Sequence, residues 1–236
     1  MAAAADFELY YWSVPFRGQF VRAVLAYADR TWTESGDEKI AELMAGPVAD
    51  MPVPFMGPPL LVDRKAGFAI SQMSAVVMYL GETLDLLPKS PSLRALAMKV
   101  IADANDVIDE ITQEGGRRMW SRTSWRKFQP RLEKWMSLWE EIGRRHGLTA
   151  DAGFLLGGKS ADVADIVTAT LWSTMTERLP PIEATLERVA PHTAALVKRM
   201  AALPSLRRLA TASRRDYGAA YCGGEIEKSL RKVVLA

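Results

Sequence analysis

Two consecutive prolines, Pro58 and Pro59, stand directly before an apolar run at residues 60–63 that is typical of a β-strand. Because proline has no N–H to donate to a sheet, strand pairing ends there and neighbouring backbone polar groups stay free. The peptide bond before a proline is also the one place where a cis bond is inexpensive, and a fixed cis-proline usually serves a purpose. This segment therefore predicts a sheet edge whose backbone can bind a small peptide.

A second group of side chains that could do chemistry lies near the start of the chain. Tyr11 comes near the end of an aromatic, β-prone run at residues 7–12, and Ser13 follows it. Arg17 and Arg22 lie in the helical pattern that comes next. Hydroxyl donors and guanidinium cations are thus predicted at one strand–helix junction. The alternatives are structural, with ordinary sheet aromatics, a serine in a turn and an exposed arginine in the first helical turn.

The composition limits the class of protein. Of 236 residues, 49% are hydrophobic, and the net charge of +2 gives no reason to expect a nucleic-acid partner. No apolar run approaches the roughly 20 residues that span a bilayer, so we expect no contact with a membrane. The single cysteine, Cys222, excludes an internal disulfide and fits a reducing compartment, and two distant histidines argue against a metal site. Residues 1–6 lack the features of a signal peptide, so we expect a cytoplasmic protein.

The first third of the chain alternates strand-like and helix-like patterns. The predicted elements are a strand at 7–12, a helix around 20–28, a strand at 31–33, a weak helix at 37–44, a proline-rich connection at 45–58, and then the strand, turn, strand and helix that end near residue 82. This order predicts one α/β layered domain over residues 1–84.

Beyond a linker at residues 84–91, which contains two prolines, the pattern is helical almost throughout. Apolar residues at three- and four-residue spacing predict helices at residues 93–112, 128–146, 162–179, 191–203 and 206–215. The final residues, 222–236, predict only a short docking helix. Residues 92–236 are therefore expected to form a second, all-helical domain.

The strand-end Tyr11, the proline edge at Pro59, the Gln72 helix start and a capping box at Asp162 and Asp165 occur in an order that resembles the cytosolic glutathione transferases. The resemblance covers nearly the whole chain and points to bacterial-type members with a tyrosine motif. It implies an α/β thioredoxin-like N-terminal domain that binds glutathione. It also implies an all-α C-terminal domain that forms the pocket for a second substrate. In this family the two aspartates cap a helix and have a structural role.

The resemblance assigns the thiol chemistry to the first strand and helix. Tyr11 stands eleven residues before Arg22, as in several classes of the family, and its phenol would donate a hydrogen bond to the glutathione sulfur. A free thiol has a pKa of about 8.5, and lowering this pKa by one unit takes about 1.4 kcal/mol. One charge-assisted hydrogen bond to the thiolate can supply that much. Ser13 is the alternative, because other classes use a serine near this helix start. Arg17 matches an arginine that helps to hold the thiolate.

The resemblance assigns glutathione binding to the second half of the α/β domain. The residue before the cis-proline offers its backbone N–H and C=O to the cysteinyl part of glutathione, but Pro58 before Pro59 has no N–H. Gln72 and the helix start would receive the γ-glutamyl carboxylate. Met73 stands where serine or threonine is usual and cannot donate, so Ser74 or backbone N–H groups would replace it. The alternative for Gln72 is a polar cap on an ordinary helix.

Residues for the second substrate and for a partner subunit come from the helical half. Asp106 lies 34 residues after Gln72, the interval at which the family's aspartate reaches across a dimer interface to the γ-glutamyl ammonium. An exposed helix carboxylate is the alternative. Met119, Trp120 and Tyr217 are candidate walls of the pocket for the second substrate, or else plain core residues.

Two functions are open from the sequence. The resemblance implies a glutathione transferase that stabilises the thiolate of glutathione, its co-substrate, and conjugates it to an electrophilic small molecule in detoxification, as a homodimer without a metal. The alternative is a non-enzymatic binding protein on the same fold with a degenerate glutathione site. Pro58 and Met73 motivate the alternative, because each removes an expected donor.

Overall fold

The first part of the chain forms a four-stranded mixed sheet with three helices. In the computed structural model, which describes residues 5–235, the strands are β1 Phe7–Tyr10, β2 Trp32–Ser35, β3 Leu60–Asp63 and β4 Phe68–Ser71. The helices are α1 Phe16–Tyr27, α2 Asp37–Ala45 and α3 Met73–Thr83, with a 3-10 turn at Val48–Asp50. The strand order is β2-β1-β3-β4, in which only the β1–β2 pair is parallel. Residues 1–4, which belong to the segment 1–6 that lacks the features of a signal peptide, lie outside the described residues.

The second part consists of helices, as far as residue 235. They are α4 Pro91–Ile111, α5 Gln113–Gly116, α6 Arg122–Arg145, α7 Val163–Arg178, α8 Pro181–Val189, α9 Pro191–Ala201, α10 Pro204–Tyr217 and α11 Gly224–Val234. A mixed α/β layer followed by helices confirms the predicted fold class, thioredoxin-like and then all-α.

Three helices differ from the prediction, because α5 and α8 are not predicted and α6 starts earlier than expected. Helix α8 starts at Pro181, where proline is tolerated because the N–H groups of the first turn have no helical partners. Helix α6 begins at Arg122 instead of residue 128. Ser121 and Ser124 form a capping box there, in which each backbone N–H donates to the other residue's hydroxyl oxygen at 3.0–3.1 Å.

The predicted capping box at the start of α7 is confirmed. Asp162 accepts from the N–H of Ala164 at 2.7 Å, and Asp165 accepts from the N–H of Asp162 at 2.9 Å. The second oxygen of Asp165 accepts from the N–H of Leu155 at 2.7 Å. Burial, with the charge of Asp162, raises the pKa of the fully buried Asp165 to about 7, although the backbone N–H groups oppose this shift. Asp165 thus fixes the loop before α7 to the helix start.

The main hydrophobic core is shared by both parts of the chain. Helix α1 packs against α3 on one side and against α7 and α10 on the other, and its buried residues belong to the same cluster as those of α4 and α7. The N-terminus of α1, where the predicted site begins, is therefore held by both parts. None of the described helices is long and apolar enough to cross a membrane. Within residues 5–235, no group of three or more His, Cys, Asp or Glu side chains could hold a metal ion.

Candidate functional site

The predicted site segments meet at one end of the sheet. The strand register ends in a row formed by Tyr10, Ser35, Leu60 and Ser71. Tyr11, Pro59 and Gln72 each lie one residue beyond this row. The N–H of Tyr11 donates to the carbonyl of Ser35 at 3.3 Å, and the N–H of Gln72 donates to the carbonyl of Pro59 at 3.2 Å. The sheet therefore brings the tyrosine, the proline edge and the start of α3 to the same side of the molecule.

An open cleft of about 450 Å³ lies at this end of the sheet, between the two parts of the chain. Its walls from the first part are Tyr11, Trp12, Ser13, Val14, Phe16, Arg17, Asp37 and Pro58, and its walls from the second part are Thr112, Gly115, Cys222, Gly223 and Ile226. The volume falls within the roughly 300–1,000 Å³ of small-molecule sites. Three predicted thiol-chemistry residues and Pro58 thus share one cavity.

Tyr11 presents a protonated phenol at the N-terminus of α1. Its ring is buried, and its oxygen accepts from the N–H of Arg17 at 2.9 Å. Burial raises the pKa of Tyr11 to about 12, although the charges of Arg17 and Arg22 lower it. At neutral pH the phenol keeps its proton and can donate it to an anionic acceptor in the cleft.

A glycine in α1 makes room for the Tyr11 ring. A Cβ built on Gly18 would lie 2.5 Å from Cγ of Tyr11 and 3.0 Å from Nη1 of Arg22. Real Cβ atoms do not approach other atoms this closely, so any larger residue must displace the ring. No pattern in the sequence marks Gly18, because a glycine in a helix is ordinarily only a weak helix former.

We expect Gly18→Ala to destabilise the protein by about 1–3 kcal/mol, through overpacking against Tyr11. In an unhindered helix the same change would stabilise by about 1 kcal/mol, so the sign of the effect is diagnostic. The measurement is the free energy of unfolding in urea. Gly57→Ala is the control, because nothing lies within 4 Å of a Cβ at Gly57. A Gly18→Ala variant as stable as wild type would show that the Tyr11 ring has free space.

The hydroxyl of Ser13 is engaged by a carboxylate. Both the N–H and the hydroxyl of Ser13 donate to Oδ1 of Asp37, at 2.8 and 3.2 Å. Asp37 is the first residue of α2, where a negative charge is favourable. Because the Ser13 proton points to an acceptor that is already negative, a second anion at this hydroxyl is disfavoured. This arrangement favours Tyr11 over Ser13 as the donor to a thiolate.

Arg17 connects the cleft to the helical part. Its guanidinium donates to Oδ1 of Asn105 at 3.2 Å and to Oδ1 of Asp109 at 3.3 Å, both on α4. The side chain is 23% exposed and lines the cleft. Arg17 therefore places a positive charge beside the phenol of Tyr11 and fixes α1 against α4.

The peptide bond between Pro58 and Pro59 is cis, as the proline edge predicts. Pro58 is half-buried and lines the cleft, while Pro59 is buried. The backbone of Pro58 can offer its carbonyl oxygen to a peptide ligand but has no N–H to donate. At this sheet edge the backbone of Pro58 can therefore form one hydrogen bond to a peptide ligand, as an acceptor.

The start of α3 has a strained backbone at Gln72. Gln72 is exposed and has φ of 74°, a conformation that costs a non-glycine residue of the order of 1–3 kcal/mol and is concentrated at functional sites. Ser74 is half-buried, whereas the side chain of Met73 is 1% exposed and packs in the core. Met73 can therefore contribute only its backbone N–H to a ligand, together with the other free N–H groups of the first turn.

Of the predicted glutathione-binding residues only Pro58 lines the cleft, and the three predicted walls of the second-substrate pocket do not line it either. Trp120 is buried, donates from Nε1 to the carbonyl of Ile111 at 2.8 Å, and packs against other aromatic rings. Met119 is 45% exposed. The ring of Tyr217 lies 4.9 Å from the guanidinium carbon of Arg22. These three predicted pocket walls are separate from the cavity that contains Tyr11.

Asp106 is exposed on α4 and also lies outside the cleft. Its pKa is raised, first by partial burial and then by the neighbouring carboxylates of Asp103, Glu110 and Asp109, against the opposing charge of Arg131. The structure thus places it in an acidic group on the helix surface.

Five cleft residues of the helical part are not predicted from the sequence: Thr112, Gly115, Cys222, Gly223 and Ile226. They come from the α4–α6 connection and from the start of α11. The only available signal is the Gly223–Gly224 pair beside the single cysteine, which marks a turn without showing what it faces.

Comparison with known proteins gives a family match for the helical part. Residues 96–233, more than half of the chain, match the family model described as glutathione S-transferase, C-terminal domain. No curated protein matches the sequence.

The fold resembles those of several solved structures. Monomeric Na-GST-3, a glutathione S-transferase from the hookworm Necator americanus, has 18% identity and a TM-score of 0.70, over 88% of this chain and 97% of that chain. A nematode-specific GST of C. elegans has 18% identity and a TM-score of 0.69, over the same shares. Prostaglandin synthase D of Nilaparvata lugens has 18% identity and a TM-score of 0.64, over 87% and 97%. At these identities the likeness is one of fold.

Proposed function

Because this chain belongs to the glutathione S-transferase family, we propose that it binds glutathione, activates its thiol at Tyr11 and transfers it to an electrophilic small molecule. The observation that carries the proposal is the cleft in which Tyr11, Arg17 and Pro58 face one cavity. Glutathione would lie along the proline edge and the start of α3. The electrophile would lie against the walls from the helical part, near Thr112 and Ile226.

Tyr11 would activate the thiol as a hydrogen-bond donor. With a pKa of about 12, the phenol of Tyr11 stays protonated at neutral pH. The glutathione thiol, which ordinarily titrates at about 8.5, would lose its proton to solvent. The phenol O–H then stabilises the thiolate, with the charge of Arg17 beside it. The thiolate sulfur attacks the electrophilic carbon, a C–S bond forms, and the electron pair leaves with the displaced group. Catalysis then consists of proximity and a lowered thiol pKa, without a covalent bond to the protein.

The rest of glutathione would bind through backbone groups. The carbonyl of Pro58 accepts from the cysteinyl N–H, and the missing N–H at this position costs about 1 kcal/mol of affinity. Gln72, Ser74 and the free N–H groups of the first turn of α3, including that of Met73, would hold the γ-glutamyl carboxylate. Pro59 would fix the orientation of the backbone at this sheet edge.

The proposal extends to a homodimer. Asp106 is exposed and lies outside the cleft of its own chain, so it could reach a γ-glutamyl ammonium only in a second copy. We further propose a cytoplasmic, bacterial-type enzyme of detoxification, in keeping with the single cysteine and the tyrosine motif. Met119, Trp120 and Tyr217 would contribute to the second-substrate pocket only indirectly, since they lie outside the cleft.

We expect calorimetric titration near neutral pH to show that reduced glutathione binds with a dissociation constant in the micromolar to low-millimolar range. Cysteinylglycine, which lacks the γ-glutamyl group, should bind at least about tenfold more weakly, because it cannot use the start of α3. Equal binding of the two peptides would contradict the γ-glutamyl subsite. Absence of heat at millimolar glutathione, confirmed by a fluorescence titration, would contradict glutathione binding as a whole.

A second candidate function is a binding protein on the same fold with a degenerate glutathione site. The specific observation in its favour is that Pro58 has no N–H at the ligand-binding edge and that Met73 turns its side chain into the core. The same titration separates the two functions, because only the transferase needs millimolar or tighter binding of glutathione.

A further inference from the structure

The segment before α11 is held by a single carboxylate. Oε2 of Glu227 accepts from the N–H groups of Tyr221, Cys222 and Gly223 at 2.9, 2.9 and 2.6 Å, and its Oε1 accepts from Nε of Arg231 at 2.7 Å. Glu227 is 7% exposed. Burial alone would raise the pKa of Glu227, but the backbone N–H groups and Arg231 outweigh it and lower the pKa, so the group is ionised. A buried charge with this many partners fixes the three residues as one rigid loop.

This loop contacts the start of α1 directly. The carbonyl of Tyr221 accepts from the N–H of Phe16 at 3.3 Å, and the two rings pack edge to face with centroids 5.5 Å apart. A Cβ on Gly223 would lie 3.3 Å from Cγ1 of Val14, so the loop also packs closely on the turn before α1. The loop at residues 221–223 thus packs directly against the N-terminus of α1.

Phe16 is held in a backbone conformation that it would not adopt unaided. Its φ is 25°, which is unfavourable for a residue with a bulky side chain, and it directly precedes Arg17. The N–H of Arg17 is the one that donates to the phenol oxygen of Tyr11 at 2.9 Å. The angle of the chain at Phe16 therefore determines where that N–H points. Without the contacts from Tyr221, relaxation at Phe16 would move the donor away from the phenol.

We propose that Glu227 is a positioning residue for thiol activation, which acts through the Tyr221 loop and the strained Phe16 to aim the N–H of Arg17 at Tyr11. This inference rests on the proposed function. The N–H bonded to the phenol oxygen makes the phenol a stronger donor, because hydrogen bonds in a chain polarise one another. Glu227, on the helix α11 and far from Tyr11 in sequence, thereby contributes to the pKa of the bound thiol.

The test is the pH profile of kcat/KM for Glu227→Ala in the full-length protein, with the ultraviolet absorbance of the bound thiolate as a second readout. We expect the apparent pKa of the bound thiol to rise by about 0.5–1 unit and the rate at neutral pH to fall by about 3- to 10-fold. The KM for glutathione should change less than twofold. A merely structural role would lower the folded fraction and leave the apparent pKa unchanged.

Two variants keep the test decisive. Glu227→Gln retains one oxygen for the three N–H groups and should shift the thiol pKa by less than Glu227→Ala, even where the alanine variant folds poorly. Glu225→Ala removes an exposed carboxylate from the same helix and should leave the profile unchanged. A thiol pKa in Glu227→Gln and Glu227→Ala equal to that of wild type overturns the inference alone. A wild-type protein that binds no glutathione overturns the proposed function as well.

Discussion

We expect Tyr11→Phe to lower kcat of the proposed conjugation reaction by about 10- to 100-fold and to leave the affinity for glutathione within about twofold of wild type. The phenylalanine keeps the buried ring and removes the hydroxyl, both as a donor to the thiolate and as the acceptor of the Arg17 N–H. A hydrogen bond to a charged acceptor contributes about 1.5–3 kcal/mol, and each 1.4 kcal/mol corresponds to a factor of about ten in rate. The measurement is steady-state turnover of an activated aryl halide with glutathione, together with calorimetry of glutathione binding.

Two control variants make this prediction specific. Tyr10→Phe makes the same chemical change one residue earlier on β1, where the side chain packs in a separate cluster with Ile40, Phe55 and Leu60, and it should leave turnover unchanged. Ser13→Ala should also retain most of the turnover, because the Ser13 hydroxyl is directed at Asp37. Full activity in Tyr11→Phe combined with loss of activity in Ser13→Ala would move the thiol chemistry to Ser13.

Local patterns predict which segments meet at the end of the sheet where the candidate site lies. A strand-end tyrosine, a proline before a strand and a polar residue before a helix are each visible in a few consecutive residues. The strand register then brings these three positions to one end of the sheet without further information. The cis bond at Pro59 and the capping box at Asp162 and Asp165 were accessible for the same reason, since both depend on neighbours close in sequence.

The other half of the site depends on how distant helices pack, and residue types alone do not reveal that. The sequence predicts Trp120 as a pocket wall because it is large and apolar, yet Trp120 packs inside an aromatic group. The walls that the helical part gives to the cleft are small or aliphatic residues such as Gly115 and Ile226. Gly18 approaches the Tyr11 ring closely, and Glu227 accepts from three backbone N–H groups in a buried position; neither feature has a sequence signature. In the sequence, Met73 stands where the resemblance implies a polar residue; in the structure its side chain packs in the core.

The largest expected effect on stability is at Arg22, which holds the turn between β1 and α1. The side chain is 2% exposed, and Nε and Nη2 bind both oxygens of Glu34 at 2.7 Å. Its Nη1 donates to the carbonyls of Val14 and Pro15 at 3.2 and 3.3 Å. One guanidinium therefore binds a carboxylate from β2, the carbonyl of Val14, and the carbonyl of Pro15, which also accepts from the N–H of Gln19 at 2.7 Å. Burial opposes the charged form of Glu34, but Arg22 outweighs it and lowers the pKa of that carboxyl.

Arg22→Ala should lower the free energy of unfolding by about 3 kcal/mol, because it leaves a cavity, removes the donor to the Val14 carbonyl and deprives the Glu34 carboxylate of its charged partner. The melting temperature of a chain of this size should fall by about 6–12 °C. Arg144→Ala is the matched control: Arg144 also binds both oxygens of a glutamate, Glu141, at 2.7 and 2.9 Å, but it is 63% exposed. An exposed pair of this geometry contributes less than about 1 kcal/mol, so the control should melt close to wild type. Equal losses in the two variants would mean that burial of the Arg22 guanidinium adds nothing to the pairing, and that the turn before α1 is held by apolar packing instead.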